Sequence, residues 1–140
     1  MARRAAILAV ISFFLISLAP VQGWAFRVSA GSASFVPEPR LIYPGSSKVV
    51  LKGKKTLDFK WSPHEGMRSL RKYYDFRLYK GYNMVEANLL FKKRVPPGEH
   101  TAEVSAGLFE NGKIYTWSLR QRYRNRGKSA RSYQSFKIVK

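Results

Sequence analysis

The chain has 140 residues, with 26 lysines and arginines against eight acidic residues, a formal net charge of +18 and no cysteine. The missing cysteines exclude a disulfide-stapled scaffold and a lipid-modified N-terminal cysteine, so the fold rests on its core alone. Solubility of a small domain asks for a net charge of only about 2 to 8 in magnitude. The excess points to a polyanion as partner: acidic polysaccharide, lipopolysaccharide, nucleic acid or anionic lipid. A generally basic habitat, which needs no partner, is the alternative.

At the N-terminus, Arg3 and Arg4 precede "AAILAVISFFLISLA", a charge-free apolar run. Small residues follow at signal-peptidase spacing, Val21 and Gly23 or Gly23 and Ala25. The run is short of the ~20 residues that span a bilayer. Residues 1–25 are therefore expected to be a signal peptide cut near 23–25, which places the mature protein outside the cytoplasm, secreted or periplasmic. An uncleaved membrane anchor is the alternative. Removing Arg3 and Arg4 lowers the charge by two and leaves the imbalance intact. Residues 26–38 read as a lead-in, and 39–140 as one domain, large enough for a core and too small for two.

"PEPRLIYPG" brings Pro37, Pro39 and Pro44 close together, which suits an extended edge segment and excludes a helix interior. Beyond it, apolar residues recur with period two in short runs broken by Gly, Pro, Asn and Lys, the pattern of an all-β sandwich. "LDFKW" turns Leu57, Phe59 and Trp61 inward and Asp58 and Lys60 outward. "EGMRSLRKYY" allows one or two helical turns in a loop. "YDFRLY" turns Tyr74, Phe76 and Leu78 inward, with Asp75, Arg77 and Tyr79 outward. "NLLFKKRV" does the same with Leu89 and Phe91 against Lys92 and Arg94. "IYTWSLR" buries Tyr115, Trp117 and Leu119 and exposes Thr116, Ser118 and Arg120, and "SFKIV" buries Phe136 and Ile138 beside an exposed Lys137.

"LDFKWSP", "YDFRLYKG", "GLFENGKIYTWSL" and "SYQSFKIV" resemble strands B, C, E–F and G of a fibronectin type III domain. Trp61 and Pro63 match its strand B, and Leu108, Tyr115, Trp117 and Leu119 match the leucine, the turn and strand F. The resemblance implies an immunoglobulin-like two-sheet sandwich of about seven strands without a disulfide. It also implies that Tyr115 is a tyrosine corner, its hydroxyl bonded to the upstream backbone. The Leu108-to-Tyr115 turn is one residue longer than the family pattern, and Asn111-Gly112 stands where the family has Pro-Gly. The F–G loop reads "RNRGKS" and lacks the family's Arg-Gly-Asp adhesion motif, so no integrin-type role is implied.

In that topology strands G, F, C and C′ share one outer surface. It would carry Arg120, Arg122 and Arg124, with Arg126 and Lys128 following in the loop. Arg77 and Tyr79, Lys92 and Arg94, and Tyr133 and Lys137 would join them from C, C′ and G. Like charges on adjacent strands destabilise a sheet, and Asp75 is the nearby neutraliser. A bound anion would relieve the repulsion through bidentate guanidinium contacts, while Tyr79 and Tyr133 offer stacking faces to sugar rings or bases. The competing reading is a charged face that keeps the sheet soluble and guards its edges. Lys48, Lys52 and Lys54 are placed near the opposite sheet.

His64 with Glu65 and Glu99 with His100 form a possible metal set at one pole. The cationic F–G loop at that pole would repel a metal ion, and Ser62, Ser129 and Ser132 lack a nucleophile-elbow context. The expectation is a non-catalytic binding module without a cofactor. Its alternative is a structural or docking subunit that recognises an envelope protein, with Tyr73, Tyr82 and Met84 as a docking surface.

Overall fold

The computed structural model describes residues 38–63, 68–125 and 127–140, all within the compact unit Ser32–Lys140. The expected signal peptide, its cleavage point and the lead-in up to residue 37 lie outside the described residues.

Eight strands form two sheets. They are β1 (Arg40–Tyr43), β2 (Lys48–Val50), β3 (Thr56–Ser62), β4 (Arg71–Lys80), β5 (Leu89–Val95), β6 (Thr101–Ser105), β7 (Ile114–Tyr123) and β8 (Ser132–Val139). One sheet has the order β1-β3-β6 and the other β2-β8-β7-β4-β5. These are the A-B-E and A′-G-F-C-C′ sheets of a fibronectin type III-like sandwich.

The first strand is split, which accounts for the short extra strand β2. β1 pairs antiparallel with β3, while β2 runs parallel to β8, setting Lys48 beside Lys137. Pro44 lies between the halves and has no N–H with which to continue a ladder. The indole Nε1 of buried Trp117 donates to the Pro44 carbonyl at 3.0 Å and ties this crossing to the core. Lys48 therefore belongs to the five-stranded sheet, which corrects its expected placement near the other sheet.

The core follows the alternation. Leu57, Phe59 and Trp61 of β3 meet Tyr74, Phe76 and Leu78 of β4, Tyr115, Trp117 and Leu119 of β7, and Phe136 and Ile138 of β8, all buried. Phe59 stands edge-on to Phe76 at 5.0 Å and to Trp117 at 5.2 Å, the geometry ring quadrupoles prefer. Phe91 of β5 is half-buried and packs against the core. A bulge instead pairs half-buried Leu89 with the outward Tyr79, so the expected inward place of Leu89 is lost to the register shift.

The tyrosine corner is present: the Tyr115 hydroxyl accepts the Glu110 N–H at 2.8 Å. The core residue before it is Phe109, not Leu108. A 3₁₀ turn over Ala106–Leu108 places Ala106 and Phe109, three apart, on one side. Phe109 is buried, edge-on to Tyr115 at 5.0 Å, and Leu108 is 40% exposed. Counted from Phe109, the interval to Tyr115 has the ordinary family length. Gly112 takes φ +74° in the turn that follows, a conformation that suits glycine. In the "EGMRSLRKYY" segment the described helical turn is confined to Arg68–Leu70, because β4 already begins at Arg71.

A candidate anion-binding face

The outer surface of the five-stranded sheet is set by strand register. Arg120 lies opposite Asp75, Ser118 opposite Arg77 and Arg122 opposite Tyr73. On the far side of β4, Asp75 faces Arg94 and Arg77 faces Lys92. Across β8, Tyr133 faces Ser118. Arg77, Lys92, Arg94, Arg120, Arg122, Tyr133 and Lys137 thus share the face on which the sequence pattern places them.

The arginine row is shorter than its spacing suggests. β7 ends at Tyr123. Arg124 sits exposed in the following turn, where its N–H donates to the Leu70 carbonyl at 2.8 Å. Arg124 is therefore beside the sheet and not on its face, because the period-two geometry stops with the strand. Arg126 lies outside the described residues. Lys128 is exposed and its backbone bridges that of Arg122, so the returning loop brings it back to the row.

Several outward positions are roofed. Asp75 is 4% exposed, Ser118 and Thr116 are buried, and Tyr79 is 3% exposed. Two features of the tertiary structure do this. The Arg131 side chain, from the β7–β8 loop, lies across the sheet and donates to Asp75 Oδ2 at 2.8 Å and to Ser118 Oγ at 3.1 Å. At the other end, Thr116 Oγ1 donates to the Gly81 carbonyl at 2.7 Å, drawing the β4–β5 connection over the face. Tyr79 is consequently no stacking surface, contrary to the expectation from alternation. Tyr133, 64% exposed, remains one, and Tyr82 in the β4–β5 connection is 68% exposed.

Charge on the face is only partly balanced. Asp75 bonds Arg131 and also accepts from Arg77 Nε at 3.2 Å. Burial pushes its carboxyl pKa up, but the bonds and charges of Arg131 and Arg77 outweigh burial and hold it below the usual carboxylate range. Both capacities of this carboxylate are thus already used. Burial first, then the charges of Arg131 and Arg122, lowers the pKa of Arg120, the signature of crowded cations. The Nε atoms of Arg120 and Arg122 are buried with no hydrogen-bond partner among the described residues. Arg94 lies over the Tyr73 ring at 5.0 Å, a cation–π contact. Arg131, absent from the expected site residues, closes the same basic run in the sequence. Its odd-numbered place breaks the even spacing that marks the others.

At the proposed metal pole, Glu99 is exposed and His100 is half-buried, its ring edge-on to Tyr74 at 6.0 Å. His64 and Glu65 lie outside the described residues, and among those described no group of three or more potential ligands is placed to hold a metal ion. Ser129 Oγ is occupied by the Gln121 N–H and the Ala130 carbonyl, and Ser132 Oγ donates to the Pro39 carbonyl. No helix among the described residues is long and apolar enough to cross a membrane.

The two-sheet strand order, the split first strand and the tyrosine corner define the class: the described chain is fibronectin type III-like in fold. Among solved structures, it is similar to fibronectin(III)-like modules of Clostridium thermocellum CbhA, at 16% identity and a TM-score of 0.48, over 73% of this chain and 99% of that one. No protein-family model matches the chain, and no curated protein matches it.

Proposed function

We propose that the protein is an exported, non-catalytic β-sandwich module that holds an acidic polymer against the outer face of its five-stranded sheet. One observation carries the reading. Arg77, Lys92, Arg94, Arg120 and Arg122 occupy neighbouring register positions on three adjacent strands, and the one carboxylate among them, Asp75, is already bonded to Arg131 and Arg77. The inward residues supply the core, and the mutual repulsion of these cations opposes the sheet. A polyanion supplies the missing counter-charge through guanidinium contacts. Export is supported by the sequence of residues 1–25 alone. A protein-docking role is the second reading, favoured by Tyr82, Met84 and Val85, which are exposed together in the β4–β5 connection.

The test is amide chemical-shift mapping of the mature protein titrated with a heparin oligosaccharide. The expected shifts fall on β4, β5 and β7 around Arg77, Arg94, Arg120 and Arg122 and shrink as salt is added. Shifts spread evenly over both sheets, or salt-independent shifts confined to residues 82–85, would refute the basic-face reading.

A further inference from the structure

A groove of about 910 Å³ runs along β8 on the outer face, between β2 and the β4–β5 connection. That is within the range of small-ligand sites, about 300–1,000 Å³. Tyr82 and Tyr133, both about two-thirds exposed, line it together with Ile114, Ser135, Lys48 and Lys137. We propose that this groove is a subsite for a carboxylate-bearing sugar, a hexuronate residue within the acidic polymer. The inference rests on the basic-face reading and gives the polymer its chemistry.

Three features carry it. The first is the pair of aromatic rings. Among the described residues, Phe59, Phe76, Phe109, Phe136, Trp61 and Trp117 are buried in the core and Tyr43 is 37% exposed elsewhere. These two tyrosines are the most exposed rings and lie open on one groove. A single exposed tyrosine is ordinary, but two lining the same groove match the apolar C–H face of a pyranose ring, which packs on aromatic faces.

The second is the polar lining. Thr116 Oγ1 spends its hydrogen on the Gly81 carbonyl, so Ser135 Oγ donates to Thr116 across their 2.7 Å contact. Ser135 therefore keeps acceptor capacity toward the groove, which suits a sugar hydroxyl. Ser46 and Ser47 extend this lining, and no carboxylate is among the lining residues.

The third is the charge. Lys48 and Lys137 are exposed register partners on adjacent parallel strands. Strands in a sheet lie about 4.8 Å apart, so the two ammonium groups repel, and one carboxylate between them relieves both. A lysine ammonium is a point charge that pairs with a carboxylate or a phosphate alike, so the two rings and the serine lining are what specify a sugar here. A hexuronate carries its carboxylate on that same ring, and the arginine-rich strands β4, β5 and β7 are left to the rest of the polymer.

The test uses the mature protein, with galacturonic acid oligomers and single-stranded DNA as probes in parallel titrations. Two double variants are compared, Tyr82→Ala with Tyr133→Ala and Lys48→Gln with Lys137→Gln; all four positions are exposed, and thermal melts check that folding is retained. Each double variant should bind the uronate oligomer about tenfold or more weakly, the order expected when a stacking face is removed. DNA, held mainly by the arginines of β4, β5 and β7, should lose affinity by a clearly smaller factor. Equal uronate affinity in wild type and the tyrosine variant would overturn the groove assignment and leave the basic face standing. A tyrosine variant that loses DNA and uronate alike would make the groove a general polyanion or nucleotide site and refute the sugar assignment. Wild type that binds DNA but no uronate would also refute it, and wild type that binds neither would bring down the basic-face reading as well.

Discussion

The two sheets treat their inner and outer sides differently. Inward, β3 places Leu57, Phe59 and Trp61 and β7 places Tyr115, Trp117 and Leu119, all of them buried. Outward, the three-stranded sheet mixes its charges: Asp58 lies opposite Glu103, with Lys60 two positions along β3 and Arg40 on the neighbouring β1. The outer side of the five-stranded sheet sets Arg77, Lys92, Arg94, Arg120 and Arg122 together around the already bonded Asp75. Mixed signs are what a solvated surface needs, and the three-stranded sheet has them. The same fold, in the same solvent, shows that a one-sign face is not a requirement of the sandwich. The difference is where function is to be sought.

The largest expected effect tests the inner equivalence. Trp117→Ala should cost about 3–5 kcal/mol by cavity formation, as for large aromatics in other cores, and it also releases the Pro44 carbonyl. Trp61→Ala, on the other sheet, should fall in the same range. Urea unfolding measures both. Losses below about 1 kcal/mol at either would break the symmetry of the core.

A smaller effect sharpens the outer contrast. Asp75→Asn leaves Arg131 and Arg77 without their carboxylate, and loss of hydrogen bonds to a charged group should cost about 1–3 kcal/mol at neutral pH. The folded pKa of Asp75 is depressed, so its stabilisation is complete above the unfolded carboxylate pKa, about 3.9. It disappears as pH falls through the lower folded value. The stability gap between wild type and the variant should therefore be constant from pH 7 to about 5 and close below about 4. A gap that does not change with pH would mean that the carboxylate charge contributes nothing and only its shape matters.

Much of the fold was legible because burial forces period two on every strand, and a one-residue slip would expose an entire core face. Where legibility failed, something beyond the single strand intervened. The 3₁₀ turn over Ala106–Leu108 shifted the phase by one and handed the core position to Phe109. Pro44 moved Lys48 into the other sheet by splitting the first strand. Alternation correctly turned Asp75, Thr116, Ser118 and Tyr79 outward, yet outward is not exposed. Arg131 and the β4–β5 connection, distant in sequence, cover them. Of the basic face, the strand-borne members Arg77, Lys92, Arg94, Arg120 and Arg122 were readable from spacing. Arg131 and the position of Arg124 depended on where β7 ends, which spacing alone does not encode.

On the proposed reading, anion binding by the arginine face depends on position and not on total charge, and this decides the most direct measurement. Two triple variants remove equal charge: Arg94, Arg120 and Arg122 to Gln on the five-stranded face, and Lys54, Lys55 and Lys60 to Gln on the three-stranded side. Duplex DNA serves as a generic polyanion, with affinity measured against salt concentration. The face triple should weaken binding and flatten the plot of log affinity against log salt by roughly 0.9 for each phosphate that is no longer neutralised, while the lysine triple leaves the slope nearly unchanged. Equal losses from the two triples would contradict the basic-face reading and reduce the arginines to their share of the net charge.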